Sequence, residues 1–251
     1  MFYHNIHPVA VSIGPLSIYW YGLMWACAFL TVSVFSGKSL KLSKKDFDNL
    51  LLILACGTLL GAKLGYVLFY SPWTLWQESL FSRSGFSFHG GVLGFIVGLT
   101  CASRLYSVRI LQVADSIVLA VPWGLFWGRI GNFLNSELWG YPTNLPWAVV
   151  FTRTDPLLLP RHPSQLYEAF GEGVFLGLLL LFLRKHLRFE GTLSFCFMIF
   201  YGLIRFCVEF FRVPDSHIGL IGSLSQGQWL CILMVCAGTI GLFFCQKRKE
   251  S

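Results

Sequence analysis

The sequence predicts an all-α protein that crosses a lipid bilayer several times, and two observations carry that prediction. Charged residues make up only 12% of the 251 residues, against 55% hydrophobic ones. A soluble domain needs roughly 25% charged residues to coat its surface. The apolar residues also fall into long runs, and a helix of roughly 20 residues is enough to span the hydrocarbon of a membrane. The net charge of +7 does not indicate a nucleic-acid partner. Its 19 Lys and Arg lie mostly in short segments between apolar runs, where they flank spans and meet anionic membrane lipids.

Seven runs are long enough to cross: about 16–35, 49–70, 88–106, 111–128, 167–183, 192–211 and 226–245. They make residues 1–251 a single transmembrane domain, a bundle of about seven helices. Met1 to Pro15 contains no Lys or Arg and so lacks the basic start of a signal peptide, which leaves the first run in place as a span. Small residues recur every fourth position at Gly57, Gly61 and Gly65, at Gly90, Gly94 and Gly98, and at Gly173 and Gly177. That spacing lets helix backbones approach closely in lipid. The eight cysteines lie within or beside the apolar runs, with no C-x-x-C and no histidines at zinc spacing. They read as packing residues, and no metal site is expected.

Basic residues in the connections set the orientation. Twelve lie on one side, in the loops around 38–45, 104–109 and 184–188 and in the tail at Lys247, Arg248 and Lys249. Five lie on the other: Arg83, Arg129, Arg153, Arg161 and Arg212. Seven spans then place the N-terminus outside and the C-terminus in the cytoplasm. Two outer connections are insertions: an arm at 71–87 with two Trp, and a long, polar, proline-containing cap at 129–166.

Charge inside a span costs roughly 2.5 kcal/mol or more at the bilayer centre, and is usually functional. Lys63, Tyr66 and Tyr70 share one face of the second span, and His89 opens the third beside two glycines. The segment GRIGNFLNSELWG (128–140) is the densest polar cluster. Arg129 suits bidentate phosphate binding with Asn132 on the same face, or forms a solvated pair with Glu137 at a capped helix end. In HPSQLYE (162–168), Ser164 reads as a helix N-cap and the block as structural. Tyr201, Arg205, Glu209 and Arg212 form a polar stripe on the sixth span, suited to an anionic head group or to mutual neutralisation. No Gly-x-Ser-x-Gly elbow, His-x-x-x-His pair or Walker-type loop occurs. Cationic, phenolic and acidic groups are present, and a side-chain nucleophile of the usual kind is not.

The 128–140 segment closely resembles the signature of the bacterial phosphatidylglycerol–prolipoprotein diacylglyceryl transferases. The similarity extends to Trp20-Tyr21-Gly22, Gly65 through Tyr70, Phe88-His89-Gly90-Gly91, His162 through Glu168, and Tyr201-Gly202 through Arg205, Glu209 and Arg212-Val213-Pro214-Asp215. The blocks run in family order over nearly the whole chain. One departure is Lys63, where the family pattern usually has Arg: the charge is kept and the bidentate fork is lost.

The resemblance implies transfer of a diacylglyceryl group from phosphatidylglycerol to the lipobox cysteine of a preprolipoprotein signal peptide. A thioether forms and glycerol phosphate leaves, as the first step of lipoprotein maturation at the bacterial inner membrane. No cofactor is implied. Arg129 and Arg205 would bind the head group, with His89, Tyr21, Tyr70, Asn132, Glu137, Gly140, Tyr201 and Glu209 completing the site. A free thiol ionises near pH 8.5, so its thiolate must be favoured. Either His89 accepts the proton, or the arginines lower the thiol pKa. A lipid or anion transporter and a phospholipid phosphotransferase are the rival classes. The first expects repeats and interrupted helix pairs in matching halves, and none is evident.

Overall fold

The computed structural model describes residues 1–35, 40, 42–69, 87–187, 189–213 and 220–247, with backbone alone at a few positions, His89 among them. In chain order the elements are β1 (Phe2–His4), β2 (Val9–Ile13), β3 (Leu16–Tyr19), α1 (Trp20–Phe35), α2 (Lys44–Phe69), α3 (Phe88–Leu105), α4 (Ile110–Val118) and α5 (Val121–Leu134). They continue with β4 (Val149–Phe151), β5 (Pro160–Arg161), α6 (Ser164–Arg184), α7 (Thr192–Val208), β6 (Leu220–Ile221), β7 (Leu224–Ser225) and α8 (Gln226–Lys247). Among the described residues, α2, α6, α7 with its extension to Phe211, and α8 are each long and apolar enough to cross a membrane. The pair α3–α4, bent by 120°, makes a fifth crossing if it acts as one span. The chain is therefore a mostly helical, polytopic membrane protein.

Two expected runs differ in detail. The 16–35 run begins as β3, which pairs antiparallel with β2, and turns helical only at Trp20. The 111–128 run is two helices, not one. Pro122 has no N–H to donate, and in a continuous helix its ring would meet the carbonyl of Val118, where α4 ends. Placed in the first turn of α5, the proline is harmless. The expected arm at 71–87 lies outside the described residues except for Ser87.

The chain forms two compact units, residues 37–116 and residues 1–36 with 117–251. In the first, α2 and α3 meet along their glycines. A Cβ on Gly61 would sit 2.6 Å from the Cα of Gly94, and one on Gly65 would sit 2.6 Å from the Cα of Gly90. The Ser87 N–H donates to the carbonyl of Ala62 at 2.8 Å, while its hydroxyl caps α3 by accepting from the Gly90 N–H. Only glycine permits this approach, in which backbone packs on backbone.

In the second unit, α5 is the central element. The ring of Tyr21 on α1 lies against Gly131, and Phe35 stacks on Trp123 with ring centroids 5.0 Å apart. On its other side, α6 presents Gly173 to Phe126 and Gly177 to Trp123. Leu176, Leu180, Leu193 and Cys196 bury the contact between α6 and α7. The segment expected as a cap is ordered, and its first residues, 129–134, are the last turns of α5. Beyond them the sheet β1-β4-β5 forms, with the N-terminal strand pairing parallel to β4. Buried Arg161 holds Asp155 through two bonds of 2.6 and 2.9 Å, and its guanidinium lies 3.8 Å over the Trp139 ring.

Candidate active site

Three helices of the second unit, with the residues that follow the last of them, bring six ionisable side chains together. Arg129 lies near the end of α5, Glu168 and Glu172 in the first half of α6, and Arg205 near the end of α7. Arg129 Nε lies 2.7 Å from Glu168, and its Nη2 lies 3.6 Å from Glu172. Arg205 reaches Glu168, and reaches Glu172 at 3.4 Å, through Nη1. Its Nη2 lies 2.7 Å from Glu209, which sits 3.8 Å from Arg212. Glu168 and Glu172 are 1% and 0% exposed. Each isolated charge would cost several kcal/mol to desolvate, so the six persist only as a network.

The backbone of α6 contributes to this convergence. Residues Ala169–Phe175 form a π-helical segment, a geometry that occurs mostly at functional positions. Glu168 immediately precedes it and Glu172 lies inside it, and both carboxylates reach the two arginines.

The end of α5 is tied down separately. Asn132 and Asn135 both donate to Glu137, at 3.4 and 3.2 Å, so Glu137 pairs with amides and Arg129 pairs with Glu168. The expected Arg129–Glu137 alternative is replaced by this arrangement. Ser164 is not an N-cap: it is the first helical residue of α6, and its hydroxyl donates to the carbonyl of Leu138 at 2.9 Å. Gln165 donates to the carbonyl of Glu137 at 2.5 Å, so HPSQLYE both anchors the 135–140 turn and supplies Glu168. Gly140 has a packing reason: a Cβ there would meet the carbonyl oxygen of Phe211 and lie 2.8 Å from the Cβ of His162.

His162 faces Tyr167, whose hydroxyl accepts from the Trp147 indole at 2.8 Å and lies 3.1 Å from His162 Nδ1. Burial lowers the His162 pKa below the ordinary imidazole value. A neutral ring accepting at Nδ1 from the tyrosine hydroxyl satisfies both groups.

A cavity of about 420 Å³ opens beside the ion-pair network. Trp25, Phe29, Val121 and Leu125 line its apolar body, and Arg129 and Asn132 supply its polar end. Gly124 and Gly128 border it, and a Cβ at either would meet nothing within 4 Å.

The structure thus gathers Arg129, Arg205, Glu209 and Asn132 with its partner Glu137 in one unit. Tyr201, one turn before Arg205 on α7, stacks on Phe197, and Tyr21 packs on Gly131 beside Asn132. His89 belongs to the other unit, at the first turn of α3. Tyr70 lies outside the described residues. Sequence reading missed Glu172 and took Glu168 as structural. The signal was available: two carboxylates four residues apart at the start of an apolar run share a helix face.

A model of the prolipoprotein diacylglyceryl transferase family matches residues 8–244. The chain is 42% identical to the phosphatidylglycerol–prolipoprotein diacylglyceryl transferase of Bordetella parapertussis over 266 residues, covering 99% of this chain and 98% of the relative. It is 40% identical to the enzyme of the same name from Coxiella burnetii over 264 residues, covering 100% and 99%. A third relative of that name, from Polynucleobacter asymbioticus, is 40% identical over 244 residues, covering 92% and 93%.

Proposed function

Since the chain belongs to the prolipoprotein diacylglyceryl transferase family, we propose that it transfers the diacylglyceryl group of phosphatidylglycerol to the lipobox cysteine thiol of a preprolipoprotein. The cysteine sulfur attacks the sp³ glycerol carbon that bears the phosphate, and a C–S bond forms as the C–O bond breaks. The electron pair leaves on the phosphate oxygen, so glycerol phosphate is released, and the thiol proton passes to a base. The nucleophile belongs to the substrate, so the enzyme has to position two lipidic partners in line and neutralise the leaving phosphate.

The observation that best supports this reading is the meeting of an apolar cavity with a buried arginine network at Arg129. An acyl chain suits the cavity, and a phosphate suits a guanidinium at its end. In the resting state the glutamates occupy the arginine forks, and the lipid phosphate exchanges with them. Glu168 and Glu172 thereby keep Arg129 and Arg205 aligned in the absence of lipid. Asn132 and Glu137 order the turn beside the phosphate, and Tyr21, Tyr70 and Tyr201 contribute to the lipid site. His89 takes the thiol proton, or the arginines favour the thiolate directly.

The charge count in the connections supports seven spans, with the N-terminus outside, the tail cytoplasmic and the site toward the outer leaflet of the bacterial inner membrane. Preprolipoproteins emerge on that side.

The test measures thioether formation on a lipobox peptide with labelled phosphatidylglycerol. Arg129→Ala and Arg205→Ala abolish transfer, and the corresponding Lys variants, which keep charge without the fork, retain only a small fraction of it. Wild-type transfer by the Ala variants would sink the phosphate role. His89→Ala separates the two routes to the thiolate: a modest loss with an unchanged pH profile excludes the histidine base. Release of inorganic phosphate, or translocation without a thioether, would instead favour the rival classes.

A further inference from the structure

The start of α8 makes a contact that the transfer reaction, as described so far, does not use. Ser225 is 4% exposed and uses its hydroxyl twice. It accepts from the Gln228 N–H at 3.1 Å and donates to Oε1 of Glu209 at 3.0 Å. The Gln228 side chain returns the favour to the backbone, accepting from the Ser225 N–H at 3.0 Å. These bonds close a capping box, here Ser-x-x-Gln. At Gly227, a Cβ would sit 3.0 Å from Oε1 of Glu209 and 3.4 Å from its Cδ. The glutamate carboxylate therefore lies against the first turn of α8, where the N-terminal end of a helix favours negative charge. Its other oxygen, Oε2, faces Arg205 and Arg212.

We infer that Ser225, with the clearance left by Gly227, is a positioning residue that holds Glu209 and through it orients the Arg205 guanidinium. The inference rests on the proposed contact between Arg205 and the lipid phosphate. A glutamate side chain has three rotatable bonds, and without the Ser225 hydroxyl its Oε1 would lose the hydrogen bond found here. The carboxylate would then turn toward Arg212 and release one nitrogen of Arg205 from its present direction. A simple helix cap does not require this contact, because capping uses the hydroxyl only as an acceptor. The second, donated bond is what ties α8 to the arginine network.

Substitutions at 225 separate the two jobs. Glycine is tolerated at an N-cap and Asp caps as well as Ser, but neither can donate to Glu209. Threonine keeps both bonds. The experiment compares Ser225→Gly, Ser225→Asp and Ser225→Thr in the full-length protein, measuring thermal midpoint in detergent and kcat/KM for phosphatidylglycerol at saturating lipobox peptide. The expected result is a loss of roughly tenfold in kcat/KM for the Gly and Asp variants, the scale of one hydrogen bond to a charged group. The Asp midpoint falls because a second carboxylate meets Glu209, the Gly midpoint falls by no more than the one lost bond, and Thr restores activity. In an Arg205→Lys background, Ser225→Gly adds little further loss, because the group being oriented is already gone.

Wild-type kcat/KM in Ser225→Gly overturns the inference. So does a loss that disappears when activity is referred to folded protein, or one that multiplies in full on Arg205→Lys. If Arg205→Ala itself transfers normally, the fault lies in the phosphate reading and not in the role of Ser225.

Discussion

The pair α2–α3 and the trio α5–α6–α7 associate within an apolar chain by opposite means. In lipid there is no hydrophobic force between helices, so contact has to come from close packing or from polar bonds. The pair relies on close packing, with one bond from the Ser87 N–H to the Ala62 carbonyl: Gly57, Gly61 and Gly65 meet Gly90, Gly94 and Gly98 backbone to backbone. The trio adds charge, with two arginines gripping three buried glutamates beside a cavity. The first arrangement is fixed by backbone packing, which suits a scaffold. In the second, every charge depends on the others, and an incoming anion can compete for the arginines.

Breaking the trio has the largest expected effect. Arg205→Met leaves Glu168 and Glu172 with Arg129 alone and Glu209 with Arg212 alone, and costs about 3–5 kcal/mol, the range for stripping one side of a buried ion pair. The check is the thermal midpoint in detergent. Adding Glu172→Gln to that variant recovers part of the loss, since one uncompensated charge is removed. Purely additive effects of the two changes would show that the network is not coupled.

Breaking the seam ranks second. Gly61→Val drives side-chain atoms into the backbone of α3, at a cost of about 1–3 kcal/mol or more for overpacking. Gly124→Ala is its control, because nothing lies within 4 Å of a Cβ there. Replacing an unpacked helical glycine should raise stability by up to about 1 kcal/mol. Equal destabilisation at both positions would contradict the close-packed seam.

Asp155 tests a buried pair outside the spans. The Arg161 side chain holds the Asp155 carboxyl below its ordinary range. Its contribution is therefore complete above the usual carboxylate pKa near 3.8 and is lost as pH falls through the lower folded-state value. Asp155→Asn should destabilise the protein at neutral pH and flatten the acid limb of its midpoint-versus-pH curve.

The smallest effect is expected at His4, which is fully buried between Phe133 and Phe151 with Nδ1 2.9 Å from the Ser136 hydroxyl. Burial lowers its pKa from 6.5, so the fold prefers the neutral ring. Stability is complete above pH 6.5 and declines as pH falls from there toward the folded-state value. His4→Gln should remove that decline. An unchanged slope between pH 7 and 5 would reassign it to another group.

The two regions also differ in how readable they were. The glycine seam follows from a spacing of four within single segments, so α2 and α3 could be read locally. Arg129, Asn132, Arg205 and Glu209 stood out because charge and amides are rare in apolar runs. Glu168 and Glu172 carried the same signal but sit at the start of a run, where acids read as a solvated first turn, and their arginine partners lie on other helices 33 to 43 residues away in sequence. Ser164 read as a cap because a serine before an apolar run usually is one, and the carbonyl of Leu138 took its hydroxyl instead. Pro122 marked the break between α4 and α5, but the apolar run continued across it and masked the signal.

Composition and charge spacing by themselves determined that this chain lives in a membrane as a bundle of helices, because lipid excludes unpaired polar groups and each span must be apolar along its own length. The ordered blocks from Trp20 to Asp215 determined the family. Only the tertiary structure decided that the two arginines are held by glutamates from a third helix, that the cavity ends on Arg129, and that Ser225 grips Glu209. Those are contacts between distant segments, fixed by the approach of helix backbones and by the demand that every buried charge find a partner. No local pattern encodes them.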